Sequence, residues 1–343
     1  MNKFFAFLLM LAIVSVYSCD LQKSGNKGLE PVALAYVYSP RSNITVDPTY
    51  ITHINFAFGH VNETFNGIRI DNEELLKNIV ELKKQKPSLK VLLSVGGWGS
   101  GRFSEMAGDE ANRKAFAVDC QRVVKELNLD GIDLDWEYPT SSSAGISSSP
   151  DDTNNFTLLC RDIRKEIGKN KLLTFASASN ARYVDFKAVE PYLDFVNIMT
   201  YDLENKRAGQ PPLHQAGLYR SQYTNSSSVE EGVIAHLEAG MPPHKLVLGI
   251  PFGSKGLLRG VGARYGNLTD TAGYIQQWDD VAKAAWLSDM DGNFLQTYEE
   301  PRAIGYKCEY VRSKGLRGAM YWQYSSDVTG DLRKAVYEGV MKK

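Results

Sequence analysis

The stretch D-G-I-D-L-D-W-E-Y-P, residues 130–139, carries the clearest structural signal in this sequence. Side chains alternate along a β-strand, so Asp133, Asp135 and Glu137 are predicted to share one face. The apolar residues between these acids share the other face. The stretch therefore predicts a strand with one side in a hydrophobic core and the other facing a polar site.

Seven further short runs of apolar, β-branched or aromatic residues are spaced along the chain. With Gly131–Asp135, the predicted strands are Val32–Tyr38, Ile51–Phe58, Lys90–Val95, Leu172–Ala178, Phe195–Met199, Leu246–Pro251 and Gly318–Trp322. The predicted helices between them include Asn72–Lys86, Glu110–Leu127, Asp152–Ile167 and Ser228–Ala239. Alternating strands and helices favour a parallel sheet covered by helices. Eight such units in one chain predict an α/β fold of the closed (β/α)8 (TIM) barrel type.

Short-range signals support these boundaries. Ser228 and Glu231 have the spacing of a capping box, in which the hydroxyl and the carboxylate each accept from a backbone amide at the start of a helix. Pro87, Gly168 and Gly240 stand where three of the helices are predicted to stop. Nothing in the pattern suggests a second globular domain.

The first residues have the pattern of an export signal. A lysine precedes the apolar run Phe4–Val16, and V-Y-S-C at residues 16–19 resembles a bacterial lipobox. We expect residues 1–18 to be a signal peptide, Cys19 to be lipidated, 19–29 to be a tether and 30–343 to be the catalytic domain. The expected location is the cell envelope, on the outer membrane or cell surface if the cell is Gram-negative. The alternatives are an ordinary secretory peptide or a buried N-terminal helix.

The net charge and the placement of cysteines and histidines indicate which classes of ligand the protein binds. The 39 basic and 40 acidic residues give a formal charge of -1, which disfavours nucleic-acid binding. Cys120, Cys160 and Cys308 are widely spaced and are predicted to be buried thiols. The five histidines form no metal-binding motif. We expect a monomer that requires no metal and no cofactor.

The three acids on one strand face suggest proton transfer. Carboxylates this close cannot all ionise cheaply, so at least one should have a raised pKa, as a proton donor needs. A calcium loop is the alternative, but Tyr138 stands at its sixth position, where glycine is required.

These residues match a family signature. D-G-I-D-L-D-W-E at 130–137 resembles the D-x-x-D-x-D-x-E motif of family 18 glycoside hydrolases, which include chitinases and endo-β-N-acetylglucosaminidases. S-V-G-G-W at 94–98, M-T-Y-D at 199–202 and Trp322 resemble further family motifs in the right order. The resemblance implies a (β/α)8 barrel acting on a GlcNAc-containing oligo- or polysaccharide.

The resemblance also implies roles. Glu137 would protonate the glycosidic oxygen while the substrate's own 2-acetamido oxygen attacks the anomeric carbon, and would then activate water, with retention of configuration. Asp135 would accept from the acetamido N–H, Tyr201 would donate to its carbonyl oxygen, and Asp133 would tune Asp135. Asp130 is more plausibly a brace for the strand.

Other residues are candidates for binding the sugar. By resemblance, Asp202 would bind a substrate hydroxyl and Trp322 would form the floor under the reacting sugar. The remaining substrate-binding candidates, some of which could instead fill the core, are Trp98, Met199, Tyr36 and Phe56. The paired glycines at 96 and 97 are expected to pack tightly beneath the acids.

The loops shape the cleft. The Ser-rich segment 140–150 is either a rim loop or a disordered spacer. Residues 252–301 are too short for the full α+β insertion of many chitinases and predict a compact loop with a short helix at Ile275–Trp286. Gly253 stands where such chitinases often have tyrosine, and Asp289–Asn293 is predicted to be a turn. The expected cleft is shallow and open, which suits internal cleavage.

Three functions remain open at this point. The acids fit a chitinase and equally an enzyme that cuts the chitobiose core of N-glycans. A carbohydrate-binding protein on the same barrel is a candidate of another class, although the retained Glu137 disfavours it. Metal-dependent hydrolysis is a further alternative, and would make activity sensitive to a chelator.

Overall fold

The computed structural model describes residues 29–204, 213–224, 226–258 and 273–342. The strands are β1 (Val32–Tyr38), β2 (His53–Val61), β3 (Ile68–Ile70), β4 (Lys90–Gly96), β5 (Gly131–Asp135), β6 (Leu172–Ala178), β7 (Phe195–Met199), β8 (Leu246–Pro251), β9 (Lys255–Gly256), β10 (Ile275–Asp279), β11 (Ala284–Ser288), β12 (Phe294–Tyr298) and β13 (Gly318–Trp322). The helices are α1 (Glu73–Glu81), α2 (Phe103–Gly108), α3 (Glu110–Glu126), α4 (Asp152–Ile167), α5 (Phe186–Val189), α6 (Val229–Glu238), α7 (Pro301–Ser313) and α8 (Asp331–Met341), with 3₁₀ turns at Leu82–Lys84, Pro243–Lys245 and Tyr324–Ser326.

Parallel strands close into a barrel. The order around it is β1, β2, β4, β5, β6, β7, β8 and β13, and β13 pairs back onto β1. β3 is an antiparallel addition to β2. The predicted (β/α)8 barrel is therefore confirmed.

The predicted elements agree closely with these bounds. Six of the eight predicted barrel strands have the predicted limits, β4 is one residue longer, and β2 is shifted towards Val61. α1 is shorter than predicted because its last turn tightens into the 3₁₀ turn Leu82–Lys84. The capping box is present: the Ser228 hydroxyl accepts from the Glu231 amide, and the Glu231 carboxylate accepts from the Ser228 amide. The three described cysteines are buried and free.

Apolar residues fill two layers. The outward side chains of the strands pack against the helices in one large cluster, to which β5 contributes Ile132 and Leu134. A smaller cluster inside the barrel includes Val32, Leu34 and Tyr36 of β1.

At the opposite end of β5 from the acids, the Asp130 carboxylate accepts from the Lys83 ammonium at 2.8 Å and from the Val91 amide at 2.9 Å, which braces the barrel.

The segment between β8 and α7 differs from the prediction. The expected helix at Ile275–Trp286 is wrong, because its residues form the antiparallel hairpin of β10 and β11. Asp279 makes the turn, since its carboxylate accepts from the backbone amides of Val281 and Ala282. β12 and β9 complete a four-stranded sheet, and no full α+β insertion is evident among the described residues. Asp289–Asn293 is the predicted turn.

The Ser-rich segment is a rim loop. The buried Asp152 holds both of its ends, since its carboxylate accepts from the amides of Thr140 and Ser149 and from the Ser104 hydroxyl. Ile146 is buried against the body of the protein.

Among the residues described, no helix is long and apolar enough to span a bilayer.

A buried ion pair joins the small sheet to α7 and generates a stability prediction. The Lys307 ammonium contacts the Glu299 carboxylate, and both side chains are almost fully buried. Lys307→Met leaves a buried carboxylate without its cation, so we expect the free energy of unfolding to fall by about 3–5 kcal/mol at pH 7–8. Urea unfolding measures this loss.

The pH dependence of the loss identifies its cause. Burial already raises the pKa of Glu299, and removal of Lys307 raises it further. A raised pKa in the folded state makes the folded protein bind the proton more tightly, so the loss should shrink as the pH falls towards 5. The exposed pair of Lys77 with Glu73 supplies the control, Lys77→Met, with an expected change below about 0.5 kcal/mol. A loss in Lys307→Met that is the same at pH 5 and pH 8 would contradict the prediction.

Candidate active site

A cleft of about 660 Å³ lies at the carboxyl ends of the barrel strands, where barrel enzymes place their active sites. It is lined by residues from seven barrel strands or from the loops that follow them. They are Tyr38, Phe58, Trp98, Asp135, Glu137, Tyr138, Ala178, Ser179, Asn180, Tyr183, Met199, Tyr201, Asp202 and Trp322.

The alternation of β5 is as predicted. Ile132, Leu134 and Trp136 belong to the outer hydrophobic cluster, and the Trp136 ring stacks on Phe103 with centroids 5.2 Å apart. Asp133 therefore points into the barrel, and Asp135 and Glu137 point into the cleft.

Asp133 is held by four donors beneath the cleft. The hydroxyls of Tyr36 and Ser94 donate to Oδ2, each at 2.8 Å, and Thr174 and Asn197 donate to Oδ1. Burial raises the pKa of Asp133, and these hydrogen bonds oppose the rise because they favour the charged form.

Asp135 is buried between two acids. Burial, followed by the charges of Glu137 and Asp133, raises the pKa of Asp135 well above its usual range. Its Oδ1 accepts from no side chain or backbone group among the described residues. The Asp133–Asp135 pair can therefore hold a proton.

Glu137 is poised to exchange a proton near neutral pH. Burial raises its pKa to about 7, with a further contribution from the negative charge of Asp202. The Tyr138 hydroxyl acts in the other direction because it donates to the charged form. A carboxyl group with this pKa can act as a general acid and then, once it has lost its proton, as a general base.

Tyr201 and Asp202 follow β7. Burial and the charges of Asp135 and Glu137 raise the pKa of Tyr201 well above its usual range, so its hydroxyl remains a donor. Asp202 adopts a left-handed backbone conformation with φ of 59°. The Lys255 ammonium binds its Oδ1 at 2.5 Å.

Aromatic rings occupy two sides of the cleft. Trp322 stacks on Phe58 with centroids 5.8 Å apart, and Tyr38 lies 5.8 Å from both rings. On the other side, Tyr138 stacks on Tyr183 at 4.7 Å. The Trp98 ring, with 63% of its surface exposed, lies edge-on to Tyr138.

The two predicted glycines fit their expected role. Gly96 has φ of +131°, and a Cβ there would lie 2.0 Å from the Asp135 carbonyl oxygen. A Cβ on Gly97 would lie 2.7 Å from the Phe58 ring. The backbone at the end of β4 therefore packs directly against β5, which carries Asp133 and Asp135, and against the Phe58 ring.

Two predicted aromatic residues lie outside the cleft wall. Tyr36 is buried one layer below, where it bonds Asp133 and lies 5.9 Å from Trp322. Phe56 points outward into the layer between strands and helices, and Phe58 lines the cleft instead. The reason is an irregularity in the pairing of β2 with β4, where Ala57 and Gly59 face consecutive residues and Phe58 has no partner.

Sequence reasoning did not single out several residues that the structure brings to the site. Thr174 and Asn197 lie on inward-facing positions of neighbouring strands, and this periodicity was the available signal. Lys255 and Tyr183 lie on loops or short elements, where the sequence has no periodicity to place them. Among the described residues, no three His, Cys, Asp or Glu side chains are grouped to hold a metal.

Comparison with known proteins gives a consistent result. The sequence profile of "Glycosyl hydrolases family 18" matches residues 32–327. The chain is 30% identical to Chitinase A1 of Niallia circulans, covering 95% of this chain and 61% of that protein. It is 29% identical to an endochitinase of Manduca sexta, covering 80% of this chain and 58% of that protein. The chain thus spans about three fifths of the length of these two relatives.

One solved structure is similar to this chain over the whole length of the solved structure. The family 18 N-acetylglucosaminidase from Paenibacillus barengoltzii is 36% identical, with a TM-score of 0.79, and the match covers 90% of this chain and all of that one. The profile match extends from β1 to the turn after β13 and includes every acid of the cleft. The chain therefore belongs to glycosyl hydrolase family 18.

Proposed function

We propose that the protein hydrolyses β-1,4-linked N-acetylglucosamine in chitin or chito-oligosaccharides, with retention and by substrate assistance. The observation that carries the proposal is that Glu137, an acid with a pKa of about 7, lies in one cleft with Asp135 and Tyr201. These groups supply an acid, an acceptor and a donor around one reacting sugar. The named relatives act on this class of substrate.

The steps follow from the protonation states. Protonated Glu137 gives its proton to the glycosidic oxygen while the sugar's acetamido oxygen closes on the anomeric carbon. Asp135 accepts from the acetamido N–H and balances the positive charge that forms, and Tyr201 donates to the carbonyl oxygen. The Glu137 carboxylate then takes a proton from water, which opens the intermediate on the same face.

We infer internal cleavage from the distribution of rings. Trp322, Phe58 and Tyr38 provide a stacking surface on one side of Glu137. Trp98 and Tyr138 provide another on the loops that follow β4 and β5. Apolar sugar faces stack on such rings, so sugars can be held on both sides of the scissile bond.

Product analysis tests this substrate assignment. The purified chain is incubated with chitotetraose and, in parallel, with a high-mannose glycoprotein, and released sugars are measured by mass spectrometry. We expect fragments of chitotetraose alone. Release of a glycan bearing one GlcNAc would instead assign the chitobiose core of N-glycans as the substrate. Turnover of neither substrate would contradict the proposal.

Glu137→Gln separates hydrolysis from binding. The amide keeps the shape but cannot transfer the proton, so we expect kcat to fall by at least about 10²-fold, the lower range for loss of general acid–base catalysis. Binding of chitotetraose, measured by calorimetry, should persist. The exposed Glu110→Gln is the matched control and should retain wild-type kcat. A wild-type protein that binds without turnover would support a carbohydrate-binding function.

The pH profile tests the state of Glu137. The acid form is needed for the first step, so kcat/KM should fall as the pH rises through about 7. Tyr138→Phe removes the hydroxyl that stabilises the charged form, so the pKa of Glu137 should rise and the basic limb should move to higher pH. Tyr183→Phe keeps the stacked ring pair and should leave the limb in place. A limb that moves downward in Tyr138→Phe would contradict this assignment.

We also propose that the protein is exported and anchored by lipid on Cys19, which lies outside the described residues. The support is the sequence of residues 4–19 alone. A bacterial host fed a labelled fatty acid should label the full chain, and Cys19→Ser should abolish the label and release the protein from membranes, because it removes the acyl chains. Ser24→Ala is the control. A persistent label in Cys19→Ser would rule out this anchor.

A further inference from the structure

The small antiparallel sheet delivers a cation to the mouth of the active site. β9 pairs with β12, with Lys255 opposite Thr297 and Gly256 opposite Gln296. A Cβ at Gly256 would lie 2.1 Å from the Leu295 carbonyl oxygen, so only glycine permits this approach. Lys255 is therefore fixed at its backbone by strand pairing.

Polar contacts fix the chain on the other side of Lys255. The Gln215 amide donates to the Gly253 carbonyl at 2.7 Å, and the Gln296 amide donates to the Ser254 hydroxyl at 3.0 Å. The segment entering β9 is thus held by side chains from two other parts of the chain.

The Lys255 ammonium binds the Asp202 carboxylate at 2.5 Å and lies 3.6 Å from Oε1 of Glu204. Its side chain is 35% exposed, and that of Asp202 is 56% exposed. An exposed surface pair contributes little to stability, but this one lies at the rim of the cleft that holds Glu137. We therefore expect the Lys255–Asp202 pair to affect the active site rather than the stability of the fold.

The charge of Asp202 acts on Glu137. It is one of the causes that raise the pKa of Glu137, because a nearby negative charge disfavours the ionised carboxylate. A cation bound to Asp202 offsets that charge. The left-handed backbone at Asp202 is costly for a residue with a side chain, which makes an external contact useful for holding the carboxylate in place.

We propose that Lys255 is a positioning residue that holds the Asp202 carboxylate and balances its charge, and so sets the pH range over which Glu137 works as an acid. This inference rests on the proposed function for the catalytic role of Glu137. The relation between Lys255, Asp202 and the titration of Glu137 is a property of the ligand-free protein and can be measured without turnover.

Other ionisable groups face these residues. The titratable side chains that line the cleft around Glu137, besides those of Asp202, are Asp135, Tyr138, Tyr183, Tyr201 and Tyr38. The carboxylates that contact Lys255 are Asp202 and Glu204. Lys255 supplies a positive charge to a group of mainly acidic side chains, so its removal should act on Glu137 in one direction.

The experiment follows the titration of Glu137 in the full chain by ¹³C NMR with labelled glutamate. The Glu137 resonance is the one absent from Glu137→Gln. In Lys255→Met, the midpoint of the Glu137 titration should move to higher pH by roughly half a unit. This shift is smaller than the one that a charge in direct contact causes, because Lys255 contacts Asp202 and acts on Glu137 through it. The basic limb of kcat/KM should move in the same direction.

The conservative variant and a double mutant separate charge from structure. Lys255→Arg keeps the charge and should restore most of the wild-type midpoint. In an Asp202→Asn background, Lys255→Met should produce less than half of its original shift, because the anion through which Lys255 acts has gone. Lys77→Met, which removes a distant cation, should leave the midpoint unchanged.

The outcomes are distinct. An unchanged Glu137 midpoint in Lys255→Met would overturn the inference, and so would an equal shift with and without the Asp202 charge. If Lys255→Met does not fold, Lys255→Gln provides the same test with a polar side chain. If the midpoint shifts as expected but the wild type cleaves no GlcNAc substrate, the proposed function fails while the role of Lys255 stands.

Discussion

The burial of three carboxylates, two on β5 and one directly after it, is the constraint on which the rest of the site depends. β5 places Asp133 inside the barrel and Asp135 at the cleft floor, where water cannot fully solvate them. Four donors from neighbouring strands compensate Asp133. Asp135 has no equivalent set of donors, so the cost of its charge appears as a raised pKa. The same burial prepares Glu137 to exchange a proton near neutral pH.

The barrel positions the acids of the site, and the small sheet positions a cation at its rim. The barrel strands fix the acids and their donors through regular pairing, which allows little movement of the side chains that point inward. The sheet formed by β9 to β12 lies beside the mouth and contributes Lys255. Its hairpin is held by Asp279, and burial of the Glu299–Lys307 pair connects it to α7. A charge at the rim of the site is thus positioned by a part of the chain outside the barrel.

Most of the fold followed from periodicity. The predicted β1 and β5 have the observed limits. The helix predicted at Ile275–Trp286 failed because alternating and helical spacings are hard to distinguish in a short mixed segment. Pairing with β12 decided the outcome. Phe56 and Phe58 illustrate a finer limit, since regular alternation would put both rings on one face and a single unpaired residue in β2 turns Phe58 towards the cleft.

The sequence by itself determined the strand that carries Asp133, Asp135 and Glu137, and the number of units that close the barrel. Both depend on the alternation of polar and apolar residues and on the need to bury apolar faces. Residues that are close together in the sequence determine these two features. Only the tertiary structure decided which donors surround Asp133, which rings pack on Trp322, and that Lys255 reaches Asp202 from 53 positions along the chain. Such contacts depend on where separate elements meet in space, and no local pattern encodes that distance.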